Sequence, residues 1–183
     1  MTTTRLIACA LFTALIAVLA QISVPVPFSP VPLTGQVIGV LLAGIILGSK
    51  AGLLTITAYL LLGAAGAPVF SLARGGIYML AGPTGGYLWG FLPAVFMCGL
   101  IIEKEKQPSV YRSAGAVLTA LFFIYFFGTV QLKFIMQYST TEALLIGAVP
   151  FIPLDLAKAA LAVFLGIRIK KSLLQNRLDH ILK

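Results

Sequence analysis

The chain is poor in charge. Of its 183 residues only 10% are Asp, Glu, Lys or Arg, where a soluble domain carries about 25%. It has five acidic residues, two cysteines and one histidine. Cys9 and Cys98 lie in separate apolar runs and form no C-x-x-C pair, and His180 stands in a polar C-terminal stretch, so metal and redox chemistry lack ligands. No nucleophile–base pair or metal-ligand cluster stands out, which argues against an enzyme. No G-x-x-x-x-G-K-[ST] loop is present. Any ATP hydrolysis linked to this chain would have to come from another one. What the chain does have is apolar residues, 60% of the total, with a mean hydropathy of +1.04. This composition belongs to an all-α integral membrane protein, expected as a single membrane domain over 1–183.

Six transmembrane spans are predicted, at about 6–20, 33–48, 51–63, 84–102, 113–131 and 143–167. A helix needs about 20 residues to cross the hydrocarbon. The third span is short for that, and is either tilted into the protein or extended by its neighbours. With the N-terminus inside, ten basic residues fall on the cytoplasmic side: Arg5, Lys50, Lys104, Lys106, Arg112, Arg168, Lys170, Lys171, Arg177 and Lys183. Only Arg74 and Lys133 fall outside. This positive-inside bias places both termini in the cytoplasm and the protein in the cell membrane as a multi-pass chain. The net charge of +8 is thus a topology signal rather than a nucleic-acid footprint. The basic tail, 172–183, also suits contact with anionic lipid. Arg5 followed by an apolar run has the layout of a secretory leader, but no Ala-x-Ala site follows, and the run is expected to remain as the first helix.

The loops between spans are unusual. Residues 21–32 hold four prolines in eight positions, Pro25, Pro27, Pro30 and Pro32, which exclude a helix and favour an extended, polyproline-like path. The segment is either a lid over a pocket or a plain connector. Thr34 and Gln36 follow at the start of span two, as ligand contacts or as helix-start caps; Gln offers both donors and an acceptor. Residues 63–87 are rich in glycine and too broken for one helix. Irregular backbone at membrane depth is tolerated where it is buried or lines a cavity, so this stretch is expected to fold back as an external or re-entrant loop. Within it Arg74 either holds an anionic group or is solvated, and Tyr87 either contacts a ligand or joins Trp89 in an interfacial belt. In span one, Ala10 and Ala14 have the small-xxx-small spacing that permits close helix contact, within the protein or with a partner.

One pair of residues stands apart. Asp155 and Lys158 lie three positions apart in an otherwise apolar run and share a helix face. Ionised groups at membrane depth are costly and generally mark function; the bland alternative is an ion pair that neutralises itself. Pro153 suits the first turn of a helical segment. Asp155 then sits in that turn, where the helix dipole favours a carboxylate. It lies about 20 Å above Arg168, in the outer part of the membrane.

The runs 31–48 (VPLTGQVIGVLLAGIILG), 59–70 (YLLLGAAGAPVF), 82–91 (GPTGGYLWGF) and 150–159 (PFIPLDLAKA) together resemble the BioY family. These are the biotin-specific substrate-binding (S) components of energy-coupling factor (ECF) transporters. The likeness covers nearly the whole chain, in order. It implies six helices enclosing a biotin pocket near the outer face, no catalysis and no cofactor. It implies as partners a T component, docked through an element like Ala10-Leu11-Phe12-Thr13-Ala14, and a pair of cytosolic ATPases; some members work without them. Transport in this class is thought to proceed by reorientation of the subunit in the membrane. For the site, the resemblance points to Asp155 and Lys158 at the ureido end of biotin, supplemented by Tyr87, Gln36 and Thr34, with Arg74 a candidate for the carboxylate end. An S component for another vitamin, or a standalone biotin transporter, are the alternatives. The stretch 71–77 departs from the Gly-rich pattern of many relatives and carries Arg74. Gly35 likewise stands where an apolar residue is frequent, and both departures weaken the transfer of loop contacts.

Overall fold

A computed structural model describes residues 2–104 and 109–175. Helix α1 (Thr3–Gln21) leads into a hairpin of β1 (Ser23–Val26) and β2 (Ser29–Thr34). Helix α2 (Gln36–Ala64) is followed by a 3-10 turn (Ser71–Ala73) and the short α3 (Ile77–Ala81). Then come α4 (Gly85–Glu103), α5 (Val110–Met136), α6 (Thr140–Gly147) and α7 (Ile152–Gln175).

Helices α1, α2, α4 and α5 are each long and apolar enough to cross a membrane, and α6 with α7, bent by 52°, form a fifth span. Helix α2 supplies the sixth, because it folds back on itself. Gly48 breaks it with φ +80° and ψ −171°. Gln36 Nε2 then donates to the Tyr59 hydroxyl at 2.6 Å, although 23 residues of straight helix would separate them by about 35 Å. The two arms, 36–47 and 49–64, correspond to the predicted spans 33–48 and 51–63. At about 18 and 24 Å they are short of the roughly 30 Å of hydrocarbon. They tolerate this because the protein encloses them: 78% of the most apolar 18-residue stretch of α2 is buried, against 22% for that of α1. The turn is fastened by Glu103, whose Oε1 accepts from Ser49 N at 2.7 Å and Oε2 from Ser49 Oγ at 2.9 Å. A Cβ on Gly48 would run into that carboxylate.

Helix α4 is the central contact, packed against α2 and α5. Its glycines let backbones meet: a Cβ on Gly90 would lie 3.0 Å from Ile124 Cα, and one on Gly99 would strike the Gly48–Ser49 backbone.

One expectation needs correction: of the segment 21–32, predicted extended, Gln21 closes α1, and β1 pairs with β2 as a β-hairpin instead of running alone as a polyproline segment, with Ser23 opposite Thr34 and Val24 opposite Leu33. A two-stranded ribbon leaves each strand one unpaired edge, and there proline's missing N–H costs nothing. Helix α7 runs on to Gln175, into the stretch expected as the basic tail; Arg177, His180 and Lys183, like Lys106, lie outside the described residues. The break in the last span follows from Pro150 and Pro153. Pro153 sits in the first turn of α7, together with Asp155, whose N–H donates to Phe151 O at 2.9 Å.

Candidate ligand site

A cavity lies at the outer end of the bundle, near the hairpin. It is walled by β2 and the start of α2 (Val31, Pro32, Leu33, Thr34, Gln36, Val37) and by the irregular segment before α4 (Phe70, Ser71, Met79, Thr84). Helices α4 and α5 add Tyr87, Leu88, Phe91, Ile124 and Tyr125, and Gly147, Phe151, Asp155 and Lys158 close it. Each wall has a local cause. The hairpin is held to the end of α6 by Ser29 Oγ, which donates to Ile146 O at 3.0 Å. Gln131 Nε2 donates to Leu80 O at 2.9 Å and Gly82 O at 2.8 Å, tying the approach to α4 onto α5.

Asp155 and Lys158 both border the cavity, with side chains 8% and 12% exposed, and they pair directly, Nζ to Oδ1 at 2.7 Å. Lys158 Nζ also donates to Thr34 O at 2.6 Å, and the Tyr125 hydroxyl donates to Asp155 Oδ2 at 2.6 Å. The pair is therefore self-neutralising, yet not saturated. An ammonium has three donors and a carboxylate about four acceptor positions. Two of each are used here, which leaves one N–H and two lone-pair positions beside the cavity. A ligand with an acceptor next to a donor matches that pattern.

The other sequence candidates divide. Gln36 lines the cavity, but its Nε2 is engaged by Tyr59 OH, which in turn donates to Val69 O at 2.8 Å. Tyr87 lines it with its ring, while its hydroxyl is committed to Gly147 O at 2.7 Å. Thr34 lines the cavity, and its carbonyl accepts from Lys158 Nζ. Arg74 is exposed and borders a neighbouring cleft with Pro25, Ser29, Pro30 and Leu72. That cleft shares Pro32, Ser71, Met79 and Thr84 with the main cavity, so Arg74 stands outside its mouth. Ala10 and Ala14 are exposed on the outer face of α1, remote from the cavity.

Sequence reasoning missed Tyr125, Tyr59 and Phe70. Tyr125 carries the hydroxyl within the aromatic run 122–127 of span five; that lone polar atom among phenylalanines was its only signal. Phe70, fully buried, packs edge-on against Tyr59 with ring centroids 5.5 Å apart.

Comparison with known proteins gives a consistent answer. The BioY family model matches residues 1–175. A biotin transporter BioY of Thermotoga maritima is 42% identical over 167 residues, covering 91% of this chain and 96% of that one. A probable biotin transporter BioY of Pyrococcus horikoshii is 44% identical over 161 residues, covering 88% and 93%. Among solved structures, the S-component for biotin from an ECF-type ABC transporter superposes with a TM-score of 0.87 at 32% identity, covering 93% of this chain and 95% of that one. A bundle of long apolar helices among the described residues, an outer cavity and a match across almost the full length lead to one conclusion: the chain belongs to the BioY family.

Proposed function

We propose that this protein takes up biotin as the substrate-binding subunit of an ECF-type transporter. The observation that carries this reading is the unsaturated ion pair at the polar end of an apolar cavity. Biotin's ureido ring presents one C=O between two N–H groups. The C=O accepts from the remaining Lys158 N–H, and an N–H donates to Asp155. Its thioether ring and aliphatic chain suit the wall of Phe70, Met79, Leu88, Phe91 and Phe151. In this pose the carboxylate points toward the mouth, where Arg74 attracts it from the adjoining cleft. Gln36 and Tyr87 act as braced walls, and Thr34 anchors Lys158 from β2.

The subunit itself is non-catalytic, and energy comes from a T component and paired cytosolic ATPases. The exposed Ala10 and Ala14 on α1, the least buried of the spanning helices, provide the small-residue face for a T-component helix. The subunit reorients in the membrane to release its cargo.

The test is titration of the purified protein in detergent with biotin, beside a panel of other vitamins. Saturable binding of biotin alone is expected. Absence of saturable biotin binding by the unmodified protein defeats the reading, and so does unchanged affinity after Lys158→Ala. Uptake by cells lacking any ECF module separates a standalone transporter from one that needs partners.

A further inference from the structure

The connection between α2 and α3 turns over at Leu72 and Ala73, whose φ angles are +60° and +53°. This left-handed backbone is disfavoured for any residue with a Cβ, and two such residues in succession persist only with outside support. The support comes from one corner, where α1 meets β1. Gln21, the last residue of α1, accepts at Oε1 from Ala73 N at 3.0 Å. Its Nε2 lies 3.3 Å from both Pro68 O and Phe70 O, and 3.1 Å from Ala17 O in its own helix. Ser23 Oγ accepts from Leu72 N at 3.1 Å. Both strained amides are thus taken by side chains of the α1–β1 corner. A backbone bond from Phe70 N to Arg74 O, 2.9 Å, closes the turn. Phe70 and Ser71, which immediately precede it, are wall residues of the ligand cavity.

We infer that Gln21 is a positioning residue for ligand binding. Its amide holds the left-handed turn, and the turn holds Phe70 and Ser71 in the cavity wall. Gln21 does not itself line the cavity, so it acts only through them. A glutamine suits the task because one side chain supplies both an acceptor for Ala73 and a donor for the carbonyls on the other side of the turn.

The inference rests on the reading that this cavity takes biotin, and its test keeps the two apart. Gln21→Met conserves length and removes the amide. Biotin affinity is expected to fall about tenfold, the worth of one net hydrogen bond. Amide hydrogen exchange in the ligand-free protein should accelerate about tenfold at Leu72 and Ala73 by the same reasoning, and more than at amides elsewhere in the bundle. Adding Leu72→Gly should recover part of the affinity, because glycine takes φ +60° without penalty. A contribution only to global stability gives a different pattern: no excess of exchange at Leu72 and Ala73 over the rest of the bundle, and no rescue. If Gln21→Met folds poorly, Gln21→Glu keeps the acceptor for Ala73 and should give intermediate exchange at the turn. Unchanged exchange at Leu72 and Ala73 overturns the inference. So does unchanged affinity in Gln21→Met when the unmodified protein binds biotin. An unmodified protein that binds no biotin counts against the proposed function, while the exchange experiment still decides the role of Gln21.

Discussion

Two carboxylates sit at opposite ends of the bundle, and they do different work. Glu103, at the inner end, gives both oxygens to a single residue, Ser49, and fastens the turn at Gly48. Asp155, at the outer end, divides its oxygens between α5 and its own helix, through Tyr125 and Lys158, and still has lone pairs facing a cavity. Both lie in a chain that has few acids to place. A charge in a membrane bundle becomes a binding site only where bonding capacity is left over and a space adjoins it. Glu103 keeps as many acceptor positions as Asp155 but is not among the wall residues of the cavity, and there the same group is a fastener.

The largest expected effect tests this contrast at its outer end. Asp155→Asn leaves Lys158 without its counter-charge and removes an acceptor, and biotin should bind about 100-fold more weakly, roughly 3 kcal/mol by titration calorimetry. Gly48→Ala tests the inner end. It places a Cβ at positive φ against Glu103 and should destabilise the fold by about 1–3 kcal/mol, read as a lower melting temperature in detergent. The folded fraction should bind biotin normally. Tyr125→Phe sharpens the outer end: loss of the hydroxyl on Asp155 should weaken biotin about tenfold, or about 1.5 kcal/mol. Glu103→Gln has the smallest effect, about 0.5–1 kcal/mol of stability, with biotin affinity within about twofold. Should Glu103→Gln weaken biotin as much as Tyr125→Phe does, the division between fastener and site is broken.

The features legible in the sequence were those set by local rules. Pro153 fixes the start of α7, and three residues of spacing put Asp155 and Lys158 on one face. The apolar runs mark the crossings, and the short third run was already at odds with independent spanning. Features that depend on which segments meet were not legible. Tyr125 reaches Asp155 across 30 positions, and Gln21 reaches Ala73 across 52. Neither spacing has a period from which it can be read. The hairpin was obscured by its prolines, which exclude a helix and pointed to a lone polyproline-like path, whereas a ribbon made only of edges accommodates them. Thr34 shows a subtler gap: its carbonyl, which every residue possesses, accepts from Lys158, and no side-chain pattern announces that bond.

The fold-back at Gly48 bears on how the chain is made. A 12-residue arm has too little apolar length to remain across a bilayer alone. Neither 36–47 nor 49–64 matches the hydrocarbon thickness by itself, so entry as a helical hairpin, with each arm covering the other, is the favoured route. Glu103, which secures the turn, is synthesised some forty residues after that hairpin is complete. The inner end of the bundle is thus locked only once α4 has joined it, and a chain interrupted before α4 should hold α1 in the membrane more firmly than α2.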